Sequence, residues 1–563
     1  MGPRLIVSHP GSRVFDMELA TTSYGVAARE VLARQIATAK DGDPFLPVAV
    51  VVPSNAAGVA VRRELGRTVV SGGRCGVINV DFLTLSQLAN KLGGSVALHR
   101  RHATSTVVAA AVRAALAENP GVFAPVRDHP ATERTLVAAC GELHDLDAAG
   151  LGRLAATSQR AADVVAIFRQ VKRQLAVDWY HESDVIDAAV GAVDDGTANL
   201  GGLSHLLIYL PQSISAPYAR LLSRLDQQIS VGVIAGSTGL RSADIAVADS
   251  LRRLGLVADS LPVRSPPHAD HLHSASDPDE EVRSVVRMVV EAMRQGVTLD
   301  AMAILYPVAD PYARLLHEQL SAAGIPVNGQ APQKLAESVA GRTLLGLLRL
   351  PDFSYRRSEV LGVITSAPVR NDGMIAPAAA WERVSRAAGV VLGADSWASR
   401  LERYASDRRA DAEQERAGEA QDWKIRRNER EAEWAEGLNG FVGRLIADTA
   451  PRTFKTWQQA ARWTHRLIVW YLGDDQTGWP EAEIRAFDAI VNTVNGLSNL
   501  DGIGQPPTAA VLRRTLEQEL ASSVGHVGHL GGGVLVANLG AAIGLCLERV
   551  FVVGAAEGVL PRR

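Results

Sequence analysis

The sequence predicts an α/β fold built on two parallel-sheet domains, each interrupted by a helical insertion. Three observations predict it. The apolar run from Pro47 to Val52 is unbroken, as is typical of a strand buried on both faces of a parallel sheet. Strand-like and helical stretches alternate near the start and again in the middle of the chain, as in a doubly wound sheet. Between these regions lie long stretches of helical periodicity without convincing strands.

Length and composition fit a large globular protein. Of the 563 residues, 47% are hydrophobic and 21% charged, so several domains are expected and disorder is excluded as the main state. The 58 basic and 61 acidic side chains give a formal net charge of −3, so a nucleic-acid site would have to be a local groove.

The three cysteines, Cys75, Cys140 and Cys546, form no paired motif, which favours a reducing cytoplasm. The longest uncharged stretch, Leu520 to Leu547, is rich in glycine and predicts no membrane segment.

The first sheet domain is expected from residues 1–101 and 201–262. Its predicted strands lie near Arg4 to Val7, Pro47 to Val52, Val77 to Val80, Leu206 to Leu210 and Ser230 to Ala235. The helices expected between them are Gly25 to Ala39, Ala56 to Gly66, a helix beginning after Thr84, and one around Pro217 to Leu225. The Ala-rich residues 102–200 are predicted to form the helical insertion of this domain.

The second sheet domain is expected from residues 268–350 and 508–563, after the Pro/His-rich connector Leu261 to His273. Its predicted strands are Met302 to Tyr306, Ile325 to Val327, Gly533 to Ala537 and Val550 to Val553, and its predicted helices are Glu281 to Arg294 and Pro311 to Ala323. Residues 351–507 are predicted to form the second helical insertion. Within it, the mixed-sign charge run from Arg400 to Glu436 indicates a solvated helix with i,i+4 ion pairs.

Four stretches, in this order along the chain, resemble UvrD/Rep-like superfamily 1 DNA helicases. VVPSNAAGVAVRREL (Val51 to Leu65) resembles motif Ia, and FLTLSQLANKL (Phe82 to Leu92) resembles the motif after it, with Ser86 at the place of a histidine. The stretch from Asp277 to Val327 resembles the entry to the second motor domain. ERVFVVGAAEGVLPRR (Glu548 to Arg563) resembles the segment after motif V that ends in Glu-Gly-x-Pro. The pattern is most similar to AddB-like subunits of bacterial helicase–nuclease complexes and to PD-(D/E)XK-nuclease proteins with an inactivated helicase region.

The resemblance implies a fold of two RecA-like domains and a role in recombinational repair of broken DNA ends. It implies DNA, single-stranded or as duplex ends, and a helicase/nuclease chain as partners, with ATP and Mg²⁺ as the cofactors of the family. Members of the family continue past the Glu-Gly-x-Pro landmark into further motor elements and a nuclease domain. Because this chain stops first, we expect a truncated product or one piece of a split protein.

ATP binding in this class needs a Gly-Lys-Ser/Thr turn at a helix N-terminus. At the expected place, after the strand Arg4 to Val7, the chain has Gly11, Ser12 and Arg13, and no lysine anywhere in the sequence follows a glycine. These three residues therefore form a degenerate nucleotide site. A guanidinium in place of the lysine does not reproduce the compact charge of an ammonium group.

Three further positions lack groups that ATP hydrolysis requires. The strand Leu206 to Leu210 is followed by Pro211 and Gln212, so no carboxylate is available there for Mg²⁺. Pro307 stands where hydrolysing relatives carry an arginine, and Ile543 stands where motif V usually has a lysine. We therefore expect no cofactor and no catalytic residue in this chain.

Other candidate sites have simpler interpretations. The acid-x-Lys triplet Asp422-Trp423-Lys424 could belong to a nuclease, but the helical spacing around it predicts an exposed helix face. A cluster in the Pro-rich connector predicts solvated linker rather than a metal site; its members are His268, Asp270, His271 and His273. Three other histidines are far apart in sequence and predict no catalytic arrangement; they are His102, His144 and His181.

Ser54 and Asn55 are the best candidates for DNA contact, because a hydroxyl and an amide at a helix start can hold a phosphate or a base edge. The same residues are equally suited to plain helix capping, and the two roles are compatible. Thr84 has the same two interpretations. Arg62 and Arg63 would lie beside the nucleic-acid strand or on an ordinary solvent face. Tryptophans and tyrosines are more often core residues than stacking platforms, so none is assigned to a base.

The sequence thus predicts a helicase-like, ATPase-inactive, DNA-binding module of a bacterial repair machine. Two alternatives stay open. The chain could belong to an active ATP-dependent helicase/exonuclease whose hydrolytic parts lie in a partner or in downstream sequence. It could instead be a protein-interaction scaffold without affinity for DNA, which the salt dependence of single-strand binding would distinguish.

Overall fold

The computed structural model describes residues 17–67, 69–70, 74–75, 77–94, 99–258, 269–418, 421–522, 525–529 and 531–560. It confirms the α/β class that the sequence predicts. Two five-stranded sheets, one entirely and one mostly parallel, accompany a large body of helices. None of the helices in these ranges combines the length and the apolar character needed to cross a bilayer.

The first part of the chain contains β1 (Glu18–Thr22), α1 (Val26–Ala39), β2 (Val48–Val51), α2 (Asn55–Arg67), β3 (Val69–Val70), β4 (Arg74–Cys75), β5 (Val80–Leu83), α3 (Leu85–Gly93) and β6 (Arg101–His102). It continues with α4 (Ser105–Glu118), α5 (Pro130–Leu143), α6 (Ala148–Ala155), α7 (Gln159–Leu175), β7 (Trp179–Tyr180), α8 (Glu182–Asp194), β8 (His205–Tyr209), α9 (Ala216–Leu225), β9 (Ser230–Gly236) and α10 (Arg241–Arg253). The first sheet has the order β1-β9-β8-β2-β5, and all its pairs are parallel.

Helices cover both faces of this sheet, which explains the unbroken apolar run of β2. Val48 and Val50 pack with α1 and α2, whereas Ala49 and Val51 pack with α3, α8 and α9. Successive side chains of a strand point to opposite faces, so every residue of β2 is buried. The expectation from the sequence is confirmed for this strand.

The edge strand of the first sheet differs from the sequence-based expectation. The segment Arg4 to Val7, predicted as the first strand, lies outside the described residues. The first described strand is β1, from Glu18 to Thr22, and among the described strands it pairs only with β9. An edge strand is only partly buried, and this one has a charged residue and two threonines among five residues, so its apolar pattern is weak. Because β1 ends at Thr22, the turn that follows it begins at Ser23.

Helix α8 packs with the first sheet rather than with the helices expected over 102–200. Its Val185, Ile186 and Ala189 belong to the same core as α3 and α9. Helices α3 and α8 approach closely at Gly93, where an added methyl group would lie 2.7 Å from the backbone nitrogen of Ala189. The helical segment that leaves the sheet therefore consists of α4 to α7.

The second part of the chain contains α11 (Pro278–Arg294), β10 (Met302–Tyr306), α12 (Tyr312–Ala322), β11 (Val327–Gln330), α13 (Val339–Arg349), α14 (Arg357–Thr365), β12 (Arg370–Asn371), β13 (Met374–Ile375) and α15 (Ala378–Ala387). It ends with α16 (Ala394–Ala417), α17 (Asp422–Thr449), α18 (Trp457–Leu472), α19 (Glu481–Gly496), α20 (Ala509–Glu519), β14 (His526–Val527), β15 (Val534–Asn538) and β16 (Arg549–Val552). The second sheet has the order β14-β11-β15-β10-β16, with only the β14–β11 pair antiparallel.

Acidic residues at the start of α11 connect this helix to neighbouring elements of the second sheet. Asp277 caps the helix by accepting a hydrogen bond from the backbone N–H of Glu280 at 2.8 Å. Glu281 accepts hydrogen bonds from the hydroxyl of Tyr312 at 2.7 Å and from the backbone N–H of Gly554 at 3.0 Å. One carboxylate thus connects α11 with α12 and with the segment after β16.

The two helical segments share one apolar core, which the sequence did not reveal. Residues of α4 to α7 and of α13 to α20 belong to the same buried cluster. Polar contacts also cross the junction, such as the hydrogen bond from Arg101 to Asn499 at 2.9 Å. Two separate insertions would each need a core of their own, whereas a shared core buries the apolar faces of both.

Candidate functional site

The carboxyl end of the first sheet is where an open parallel sheet usually binds a ligand. Such ligands lie in the crevice where the helices that follow adjacent strands pass to opposite faces. Here α1, which follows β1, packs on one face, and α9, which follows β8, packs on the other. The crevice is therefore bounded by the turns after β1, β8 and β9.

A tyrosine fills this crevice. Only three residues, Ser23 to Gly25, connect β1 with α1, and Gly25 has a φ of 82°, which glycine adopts without strain. The ring of Tyr24 lies against Gly236 at the end of β9, where a methyl group would overlap it. The Tyr24 hydroxyl accepts a hydrogen bond from Nε2 of Gln212 at 3.2 Å. Burial, together with the carboxylate of Asp244, raises the pKa of this tyrosine.

Asp244 closes the neighbouring turn after β9. Its carboxylate accepts hydrogen bonds from the Ser237 hydroxyl at 2.8 Å, from the Thr238 N–H at 2.9 Å and from the Gly239 N–H at 3.1 Å. Burial raises the pKa of Asp244, but these hydrogen bonds outweigh it and hold the pKa below the ordinary value. Asp244, whose charge acts on Tyr24, is thus already engaged in hydrogen bonds to this turn.

Among the described residues, the turn after β1 does not suit a phosphate group of a nucleotide. A phosphate turn presents several backbone N–H groups in a wide loop, whereas three residues leave room for one tight turn only. The residues predicted as the degenerate site, Gly11, Ser12 and Arg13, lie outside the described residues. Gln212 follows β8 as an amide hydrogen-bonded to Tyr24 and to the carbonyl of Leu210.

The structure places Ser54, Asn55 and Thr84 at the same edge of the sheet. They follow β2 and β5, which are paired neighbours in the sheet. The Ser54 hydroxyl accepts a hydrogen bond from the N–H of Ala57 at 3.1 Å, and Thr84 forms a reciprocal capping box with Gln87. The capping role is therefore present, while contact with DNA stays a prediction.

A loop between β15 and β16, in the second half of the chain (residues 269–560), lies beside the start of α2 in the first half (residues 17–258). The loop contains Ile543, and a methyl group added at Gly544 would lie 3.0 Å from Cβ of Ala57 and 3.7 Å from Cγ of Pro53. Gly544 has a φ of 78°, so the close approach and the backbone conformation both require glycine. The start of α2 and the loop around Gly544 are therefore neighbours.

Arg62 and Arg63 do not join the other candidates at this edge. Both are exposed on α2, roughly 10 Å along the helix from Asn55 at 1.5 Å per residue. The guanidinium of Arg63 lies against Gly531, where a methyl group would overlap it. Arg63 also lines a cavity of about 100 Å³ between α2 and β15, which is too small for a nucleotide. Arg63 is thus placed to connect the two halves.

An ion pair within the first part of the chain lies at its contact with the second part. Arg29 of α1 pairs with Glu64 of α2 at 3.1 Å. Cys546, in the loop after Gly544, lines the same cavity as Glu64. Burial raises the pKa of the Cys546 thiol, which Arg29 opposes. A thiol with a raised pKa is a poor nucleophile, and the half-buried Cys546 side chain forms part of the cavity wall.

Two histidines that are distant in sequence are close in space. The rings of His144 and His181 lie 4.4 Å apart, and Nδ1 of His144 lies 3.1 Å from the Ser183 hydroxyl. Burial, the second histidine and Lys172 lower the pKa of His144 to about 4. Spacing in the sequence gives no sign of this pair, which the junction of α5 with α8 brings together.

A basic groove on α15 and α17 is the feature that the sequence interpretation missed. Four arginines, two tryptophans and one glutamate line it: Arg383, Arg426, Arg427, Arg430, Trp423, Trp434 and Glu431. Trp423 is 51% exposed. The Arg427 guanidinium lies 5.7 Å and the Lys424 ammonium 5.8 Å from the centre of its ring. The Arg383 guanidinium lies 4.9 Å from the centre of the Trp434 ring.

The groove follows from the helical spacing of α17. Trp423, Arg427, Arg430 and Trp434 are separated by four, three and four residues, so they share one face of the helix. The Trp423 indole donates a hydrogen bond to the side chain of Gln421 at 2.6 Å, which fixes the ring. The triplet Asp422-Trp423-Lys424 lies in the first turn of α17, so the expected exposed helix face is confirmed.

No group of three or more His, Cys, Asp or Glu side chains in the described ranges is arranged to hold a metal ion. Three members of the connector cluster, Asp270, His271 and His273, lie in irregular chain, while His268 lies outside those ranges.

No protein-family model matches the chain, and no curated protein is significantly similar to it. The resemblance to helicases therefore stays a prediction.

Proposed function

We propose that this chain is a helicase-like subunit, built on two RecA-like domains, that binds single-stranded nucleic acid without hydrolysing ATP. It would act with a helicase/nuclease partner on DNA ends. The observation that carries the proposal is the groove in which exposed Trp423 lies among arginines. The groove supplies the local basic surface that a chain of net charge −3 needs for nucleic acid.

Single-stranded nucleic acid matches this groove chemically. Its bases expose flat faces that stack on aromatic side chains, and its phosphates pair with guanidinium groups. Trp423 is half exposed, and Arg426, Arg427 and Arg430 lie along the same helix. Duplex DNA hides its base faces, so we expect a preference for single strands.

The edge that carries Ser54, Asn55 and Thr84 offers a second contact. Two neighbouring helix N-termini direct backbone N–H groups and partial positive charge to this edge. The Gly544 loop lies against one of them. A strand bound here would contact both halves of the chain.

The filled crevice supports the absence of hydrolysis. Tyr24 and Gln212 take the space at the carboxyl ends of β1, β8 and β9, and the Asp244 carboxylate is engaged by hydroxyl and N–H donors. Phosphoryl transfer depends on positioned cations and on a carboxylate that can hold Mg²⁺. Neither is provided by the described residues of this crevice.

Binding of a labelled single-stranded oligonucleotide tests the proposal. Anisotropy should rise saturably, and log K should fall linearly with log salt. The same protein with Mg²⁺ and ATP should release no phosphate, with or without the oligonucleotide. Negligible binding at low salt would favour a protein-interaction scaffold, and DNA-stimulated phosphate release would favour an active motor.

A further inference from the structure

An unbalanced, partly buried charge lies at the junction of the two helical segments. A cavity of about 300 Å³ lies there between α4 of the first segment and the α18 and α20 regions of the second. Its walls are mostly apolar, and Ala110, Ala114, Ile503, Pro506 and Val511 contribute to them. This volume is at the lower end of the range for small-molecule sites.

Two arginines share one buried acid at the wall of this cavity. The Arg113 guanidinium pairs with Glu133 at 2.7 Å, and that of Arg514 pairs with the second carboxylate oxygen at 3.4 Å. Glu133 is 1% exposed, so solvent does not screen this cluster. Arg127 and Asp128, also in the lining, form their own ion pair at 3.4 Å. Counting the charged residues of the lining and Glu133, three arginines against two carboxylates leave one positive charge.

Two buried donors beside the cavity have no acceptor among the described residues. One is Nη2 of Arg113, and the other is Nε1 of Trp457, whose residue is 3% exposed. A buried N–H without an acceptor destabilises the folded state, and more so when the group is charged. Arg113, Trp457 and Arg514 all line the cavity. The missing partner is therefore an acceptor with negative charge.

We propose that this cavity binds a small molecule with one anionic group, a carboxylate or a phosphate, on a compact apolar body. The anionic group would lie between Arg113 and Arg514 and accept from Arg113 Nη2 and Trp457 Nε1. The apolar body would contact the alanine, isoleucine and proline side chains of the walls. One negative charge balances the excess positive charge of the cluster.

A bound ligand would connect the two helical segments. Arg113 belongs to α4, whereas Trp457 and Arg514 belong to α18 and α20. A ligand that binds only the folded state stabilises that state. The stabilisation grows with the logarithm of the ratio of ligand concentration to Kd. The site is separate from the groove on α17, and its ligand does not depend on nucleic-acid binding.

Calorimetric titration with benzoate, phenyl phosphate and inorganic phosphate at constant ionic strength tests this proposal. Benzoate or phenyl phosphate should bind and raise the melting temperature of the full chain. Benzyl alcohol, which has the same apolar body without charge, should bind at least about tenfold more weakly. Inorganic phosphate alone should also bind weakly, because it lacks the apolar body.

Two variants and a control locate the site. Arg514→Gln removes the excess charge and should weaken anion binding roughly tenfold or more. Ala117→Phe adds a ring at the exposed rim of the cavity and should block binding without removing charge. Arg134→Gln, at an exposed arginine of α5 outside the lining, should change neither affinity nor melting temperature.

Equal binding by the wild type, Arg514→Gln and Ala117→Phe would overturn the proposal. So would the absence of binding by both aromatic anions to folded wild-type protein. In either case the two donors would stay without an acceptor, and the cavity would be a packing defect of the junction. Nucleic-acid binding is measured separately, so its failure would leave this result unaffected.

Discussion

The Tyr24 hydroxyl accepts a hydrogen bond from Gln212 Nε2 at 3.2 Å across the crevice at the carboxyl end of the first sheet. The two residues lie in the turns after β1 and β8, which are separated in the sheet by β9. A ligand of this sheet would normally be expected between these turns. The side chains of Tyr24 and Gln212 therefore occupy part of the space where such a ligand would lie.

Replacing Tyr24 by phenylalanine tests this contact. The ring stays, but Gln212 no longer has the hydroxyl as an acceptor, so the free energy of unfolding should fall by about 1 kcal/mol in urea denaturation. Tyr180→Phe is the matched control, because Tyr180 forms a ring contact with His102 and no hydroxyl hydrogen bond in the described part of the chain. Equal effects of the two substitutions would show that the Tyr24–Gln212 bond does not form.

The packing of α8 against the first sheet gives a second prediction. Gly93→Ala places a methyl group against the backbone of Val185 and Ala189, so one helix must shift, and the free energy of unfolding should fall by about 3 kcal/mol. Gly66→Ala is the control in α2, where nothing lies within 4 Å of the added methyl group. It should be neutral or stabilise by up to about 1 kcal/mol through helix propensity. Tolerance of Gly93→Ala would mean that α8 does not pack here.

The His144 pair predicts a loss of stability in mild acid. The folded-state pKa of His144 is lowered to about 4, while an unfolded histidine has a pKa of about 6.5. Between these values the unfolded chain binds more protons, so the free energy of unfolding should fall as pH decreases from about 6.5 to about 4. His181, whose pKa is lowered by burial, adds to the same slope.

His144→Gln should flatten this part of the stability profile, measured by urea denaturation at several pH values. The amide keeps a polar partner for Ser183 but does not titrate. His271→Gln, in the exposed connector, should leave the profile as in the wild type. An unchanged slope in His144→Gln would contradict the lowered pKa.

The arginines of the groove predict a change in salt dependence. Removing one arginine–phosphate ion pair should reduce the slope of log K against log salt by about 0.7 for a single strand. Arg427→Gln and Arg430→Gln should each show this reduction, and the double variant should show both. Arg485→Gln, on α19 outside the groove lining, should keep the wild-type slope. Identical slopes in all variants would place the phosphate-binding residues elsewhere.

Buried strands are predicted well from the sequence, because burial on both faces leaves a strong signal. The strand expected from Met302 to Tyr306 is found with the same bounds. The edge strand Glu18–Thr22 is not predicted, since partial burial leaves a weak pattern. The shared core of the two helical segments could not be predicted either, because helical periodicity shows that a face is buried but not which helix covers it.

The candidate site is predicted only in part. Helix capping by Ser54 and Thr84 can be derived from residue type and position. The spacing from Trp423 to Trp434 is visible in the sequence, but exposure of Trp423 depends on how α17 packs on its neighbours. The contact of Tyr24 with Gln212 joins residues far apart in the chain, so only the fold could reveal it.

The affinity of a labelled single-stranded oligonucleotide for the Trp423→Ala and Trp470→Ala variants tests the central claim most directly. The two tryptophans are matched, because each is 51% exposed and each has an arginine within 6 Å of its ring centre. Loss of one stacked base should weaken binding by Trp423→Ala roughly tenfold, while Trp470→Ala should bind like the wild type. Equal affinities for the wild type and both variants would contradict nucleic-acid binding in the groove.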